Sequence, residues 1–323
     1  MYIAALGYAL VTLVFVAPLI NYVHLADASY GGDSRLLIWT LAWDAHALLS
    51  GTPLFDANMF HPAPGALKWA EHHIGLGLFA LPVYALTANP VLAYWTIWLL
   101  SFPLNALAMY ALAWRLTGGR RAAAMAGLIY GFCFFRMHHG HGHIQMLWTW
   151  ALPLIPLALE RWLHRPTART TTTVAALVLI QALTSWYLAV FTGLLCLITA
   201  VTLTRVRDIT ARHMRHAAVA VAAAAVPLAW FARPYFALRA PGVGEVLGLS
   251  ADAAAYLLPP ENTWIGQWIL TNTTVTPREI WGEQTLYAGY TAIALAIAGA
   301  WALARGRTSA AAGADRLTRS LLK

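Results

Sequence analysis

Two aspartates, a run of histidines and a few isolated arginines are where this chain of 323 residues could do chemistry. Asp33 and Asp44 lie in the stretch GGDSRLLIWTLAWDAHALLS, with Leu37 and Thr40 between them at helical spacing. Eleven residues at about 100° each return to within roughly 20° of the start, so a helix here puts both carboxylates on one face. A carboxylate placed this way can act as a general base toward a hydroxyl. Gly31 and Gly32 let the backbone turn sharply or approach a ligand, and they set Asp33 at or near the helix N-terminus, where polar ligands gather. Asp33 is therefore favoured over Asp44 as a functional carboxylate. The bland alternative is a surface helix that carries Asp only to stay hydrated.

The turn FRMHHGHGHIQ, residues 135–145, brings Arg136, His138, His139, His141, His143 and Gln145 close together. Dense imidazoles can ligate a transition metal or hold phosphate oxygens by hydrogen bonds. The two have opposite pH signatures. A metal needs neutral imidazole, so its occupancy falls as pH drops through roughly 6.5, whereas partial protonation strengthens a phosphate contact. Arg136 stands beside the cluster, and a fixed cation repels a metal ion and reinforces an anion. The residues favour phosphate, with a divalent metal as the alternative cofactor and unconnected interfacial histidines as the third reading. Glu71 and His72, in the run AEHH, add polar groups to the first loop. Arg233 precedes and Arg239 opens a long polar segment at 237–284, which carries Asp252 and Glu283 among many aromatics. Two cations there call for an anionic partner or for lipid phosphate. Aromatics mixed with acids suit a carbohydrate site as well as a membrane-interface belt.

The elements that must hold these residues are apolar helices. With 60 % hydrophobic and 11 % charged residues, the chain falls outside the soluble range and inside that of polytopic membrane proteins. The apolar run Tyr2–Tyr22 is long enough to span a bilayer, and further spans are expected near 91–114, 121–135, 146–160, 171–185, 187–204, 215–236 and 285–304. The fold expected is an all-α transmembrane bundle of about eight crossings, with interfacial helices in the first outer loop. The net charge of +8 does not call for nucleic acid, because the arginines cluster in loops between spans. Arg115–Arg121, Arg161–Arg169, Arg205–Arg215 and the tail can all be cytoplasmic only if the segment 74–88 does not cross. Residues 1–304 then form the membrane domain and 305–323 a basic cytoplasmic tail, with outer loops at 23–90, 136–145 and 237–284. Of the thirteen acids, all but Glu160, Asp208 and Asp315 face outward; of the twelve histidines, all but His164, His213 and His216 do. Cys133 and Cys196 sit in apolar runs and read as packing residues.

The stretches GDSRLLIWTLAWDAHAL, LFDANMFHPAPGAL, AEHHIGLGLFALPVYALTANPVLAYW, SADAAAYLLPP and GEQTLYAGY resemble a group of bacterial polytopic proteins near the GT-C superfamily of polyprenyl-phosphate-dependent membrane glycosyltransferases. The likeness covers residues 1–304. It implies a bacterial inner-membrane enzyme that moves a sugar from a polyprenyl-phosphate donor to a glycan, lipid or protein acceptor. It also implies a catalytic carboxylate in the first outer loop, carried here onto Asp33, with Asp44 as second choice. Metal-dependent members of the superfamily bear an acidic motif in the second outer loop, where this chain has histidines instead. Full-length relatives usually continue past eight crossings, so a truncated relative is a second expectation. A non-catalytic protein that binds lipid-linked sugars, or a transporter, is the alternative from a different class. The spans lack mid-membrane charge, Asn105 and Gln181 being their notable polar residues, and this ranks transport below catalysis.

Overall fold

The computed structural model describes residues 1–17, 31–140, 142–204, 209–238, 250–251, 253–275 and 286–305. Among the described residues every regular element is a helix. In chain order they are α1 (Tyr2–Val16), α2 (Gly31–Ser50), α3 (Ile74–Thr87), α4 (Pro90–Thr117), α5 (Arg120–Gly131), α6 (Phe134–His139) and α7 (Ile144–Leu147). They continue as α8 (Ala151–His164), α9 (Ala168–Thr184), α10 (Trp186–Leu203), α11 (Ala211–Ala232), α12 (Trp264–Asn272) and α13 (Tyr290–Ala304), with 3₁₀ turns at Ala66–Trp69, Arg233–Ala237 and Ala253–Tyr256.

Among the described residues three helices are long and apolar enough to cross a membrane: Pro90–Thr117, Trp186–Leu203 and Ala211–Ala237, the last joining α11 to its 3₁₀ extension. With the apolar composition, they make this a helical membrane protein. Two of the other apolar runs are shorter helices than the sequence suggested, because irregular backbone interrupts them. The run at 121–135 ends at Gly131, where Phe132 leaves helical geometry, and α6 starts afresh. The run at 146–160 divides into α7 and α8 around an irregular stretch at Trp148. The segment 74–88 is the 14-residue α3, about 21 Å long at 1.5 Å per residue and shorter than a bilayer core of roughly 30 Å.

Two helices organise the packing. α4 contacts α1, α2, α3, α5, α7 and α8, while α9 contacts α3, α8, α10 and α11. The sequence gives α4 clear ends: Asn89 accepts a hydrogen bond from the Leu92 N–H, Pro90 occupies the first turn, and Gly118 takes a left-handed conformation with φ of 70° beyond the last turn. Its buried face, including Ile97, Trp98 and Phe102, meets Leu41, Leu76, Leu147 and Trp148 in the main apolar core. α9 opens on a Thr167–Thr170 capping box and ends where Ser185 turns extended, so α9 and α10 meet at a sharp joint.

The amides that stood out in the spans are structural. Asn105 donates to the Leu147 carbonyl at 2.6 Å and Gln181 to the Trp148 carbonyl at 2.9 Å. Buried irregular backbone is tolerated where protein groups satisfy its polar atoms, and the stretch between α7 and α8 is held that way.

Candidate functional site

α2 carries both aspartates, and each meets a histidine from elsewhere in the chain. Asp33 lies in the first turn of this 20-residue helix. Its Oδ2 is 3.3 Å from His143 Nε2, and its side chain remains 63 % exposed. The first expected loop thus meets the second at an accessible carboxylate. His143 immediately precedes α7, and its ring faces that of His139 at 5.6 Å between centroids. Gln145, in α7, is buried with an Oε1 that has no hydrogen-bond partner among the described residues.

About eleven residues further along α2, roughly 16 Å at helical rise, Asp44 is wholly buried. Its Oδ1 is 2.9 Å from His72 Nε2, and both side chains are sealed from solvent. The approach is off the line of a good hydrogen bond, and neither the two Asp44 carboxyl oxygens nor the two His72 ring nitrogens have a hydrogen-bond partner among the described residues. Aromatic rings close the pocket. His72 stacks on Phe55 at 5.1 Å and meets the edge of Phe231 at 4.9 Å. Trp186 and Tyr235 contact Phe231 and Phe55 respectively, and the Tyr235 hydroxyl accepts the His72 N–H at 2.9 Å. Close backbone approach depends on Gly77, since a Cβ there would stand 2.8 Å from the Asp44 Cβ.

Glu71 and His73 pin this loop to the α9–α10 joint. Glu71 Oε1 accepts from the Ser185 hydroxyl at 2.8 Å and from the Trp186 N–H, which makes it a cap on the N-terminus of α10. His73 Nδ1 lies 2.9 Å from the Thr184 carbonyl and therefore donates to it. Gly75 leaves room for the same joint, because a Cβ there would stand 2.6 Å from the Thr184 nitrogen.

Burial pushes the His73 imidazole below its ordinary value of 6.5, against the opposing pull of Glu71 and the Thr184 carbonyl. The folded chain then refuses a proton that the unfolded chain accepts. The stability tied to neutral His73 is full above pH 6.5 and is lost as pH falls below it toward the lower folded value. Thermal unfolding of purified protein across that range should show a smaller acid-side loss in His73→Gln than in the parent. Equal losses would show that His73 does not carry the effect.

Arg136 corrects an expectation. It was expected to hold an anion, yet it is buried, and its three guanidinium nitrogens donate to the Tyr130 carbonyl at 2.6 Å, the Leu147 carbonyl at 2.7 Å and the Thr149 hydroxyl at 2.6 Å. The Tyr130 ring covers its charge at 4.5 Å. The stretch between α7 and α8 needs donors, and Arg136 supplies them. Glu71 and His72, expected to bind substrate, are likewise engaged by the protein itself. Arg233 remains exposed without an ion pair among the described residues. His141, Arg239, Asp252 and Glu283, together with the His138 side chain, lie outside the described part. Among the described residues no three of His, Cys, Asp and Glu form a metal-holding group.

The sequence reading missed Phe55, Trp186, Phe231 and Tyr235 as neighbours of the first loop. Their signal was weak, since aromatic residues are common in any membrane chain. Gly75 and Gly77, two glycines within one short helix, were the better clue to close packing at AEHH. No protein-family model, curated protein or solved structure matches the chain. What fold and site define is a class: a helical membrane protein in which one helix carries an exposed and a buried carboxylate, each facing a histidine from another segment.

Proposed function

We propose that this protein is a membrane glycosyltransferase that takes a sugar from a polyprenyl-phosphate donor at the outer face and passes it to a glycan, lipid or protein acceptor. The observation that carries the reading is the pairing of Asp33 with His143, which sets an accessible carboxylate at a helix N-terminus beside an imidazole. Asp33 takes the proton of the acceptor hydroxyl. The acceptor oxygen attacks the anomeric carbon, the bond from that carbon to the phosphate oxygen breaks, and the phosphate leaves with its negative charge. His143 orients Asp33, and the exposed guanidinium of Arg233, which has no ion pair among the described residues, is a cation available to the departing phosphate. Eight crossings with both termini cytoplasmic would place Asp33, His143 and Arg233 on one side of the membrane. That arrangement follows from the positions of the arginine clusters.

The test uses the full chain in nanodiscs with radiolabelled polyprenyl-phosphate sugars and a mixture of lipid and glycan acceptors. Label should move to an acceptor and polyprenyl phosphate should accumulate. Absence of transfer with every donor, under conditions where the lipid donor binds, would replace this reading with that of a protein that only binds lipid-linked sugars.

A further inference from the structure

A groove of about 490 Å³ lies between α1, α4 and α5, remote in sequence from both carboxylate–histidine pairs. That volume is in the roughly 300–1,000 Å³ range of small-molecule sites. Its walls include Ile3, Val11 and Leu128, and Arg120 and Arg121 line it as well. These two arginines are the first residues of α5, and both are exposed, without a hydrogen bond or ion pair among the described residues. No carboxylate lines the groove. A helix start already carries partial positive charge, and the Gly119 N-cap offers no side-chain acceptor. Two unpaired cations at that end are unfavourable until an anion joins them.

Two more observations point into the same space. Tyr110 is only 5 % exposed, yet its hydroxyl has no hydrogen-bond partner among the described residues, in contrast to Tyr8 beside it, which donates to the Ala124 carbonyl at 3.0 Å. Gly7 lines the groove too, and a Cβ built on it meets nothing within 4 Å. The site therefore has a cationic end, a polar donor without a partner, and an open apolar trough.

We propose that this groove binds an anionic phospholipid, with its phosphate held by Arg120, Arg121 and the Tyr110 hydroxyl, and an acyl chain along Ile3, Val11 and Leu128. Charge complementarity selects an anionic headgroup, and the apolar walls select a lipid over a soluble phosphate. The inference stands independently of the proposed glycosyl transfer.

The experiment is native mass spectrometry of the full chain in detergent, titrated with phosphatidylglycerol and phosphatidylcholine of matched acyl chains. Phosphatidylglycerol should be retained roughly tenfold or more over phosphatidylcholine, given two cations at the headgroup. Arg120→Gln with Arg121→Gln should abolish that preference. Gly7→Phe should weaken retention of both lipids by filling the trough, and it also removes a helix-interior glycine, which favours folding. Photoactivatable phosphatidylglycerol on unaltered protein gives a readout that needs no variant, and its crosslinks should map to peptides containing residues 2–11 and 120–128. Equal retention of the two lipids, an unchanged preference in the double variant, crosslinks found only elsewhere, or displacement by soluble glycerol phosphate would each overturn the proposal.

Discussion

Asp33→Asn should slow sugar transfer by about 10²- to 10⁴-fold while leaving the fold intact, the loss expected when a general base is replaced by a neutral isostere. The side chain is 63 % exposed, so the substitution strands no buried charge and fills no new space. Nor does it remove a carboxylate that the bundle depends on. His143→Ala should have a smaller effect, since the imidazole at 3.3 Å orients the base without replacing it. The comparison is made on single-turnover rates at saturating donor, which separates the proton-transfer step from donor binding. A small loss in Asp33→Asn together with a full loss in His143→Ala would move the base from the carboxylate to the imidazole. Unchanged rates in both would remove this pair from the chemistry altogether.

How far the sequence disclosed this arrangement depends on whether a signal was local or long-range. Helical spacing put Asp33 and Asp44 on one helix, and the structure agrees that α2 runs from Gly31 to Ser50 with Leu37, Thr40 and Asp44 buried. The break between α9 and α10 at Ser185 was also legible, since two apolar runs abut there. Spacing along one helix could not tell that Asp44 would be sealed and Asp33 open. That difference comes from Gly77 and the ring of Phe55 and Phe231, which approach from distant parts of the chain. Arg136 was read by its charge, which is a local property, whereas its role follows from carbonyls at Tyr130 and Leu147 exposed by irregular backbone. Apolar length overstated the spans for the same reason. Composition does not register where a helix stops inside an apolar run, as at Phe132 and Trp148.

Asp44→Ala should destabilise the protein by about 1–3 kcal/mol, because it leaves the buried His72 imidazole facing an empty space where its polar partner stood. The two side chains are fully enclosed and 2.9 Å apart, so solvent cannot compensate for the loss of either. His72→Phe should cost a comparable amount despite keeping the stack on Phe55, since the buried Asp44 carboxyl group then faces no polar side chain. The informative variant is the double one. If the two groups are coupled, Asp44→Ala with His72→Phe should be less destabilised than the sum of the singles by about 1–3 kcal/mol, because no buried polar group is then left without its partner. Denaturant or thermal unfolding in a fixed detergent measures all four species of the cycle. Strict additivity would mean that the two side chains are merely neighbours. Transfer activity per folded molecule gives the second half of the argument: Asp44 has no exposed surface to offer an acceptor hydroxyl, so the surviving folded fraction of Asp44→Ala should retain its turnover. A folded Asp44→Ala protein without turnover would instead make the buried pair, and not Asp33, the centre of the reaction.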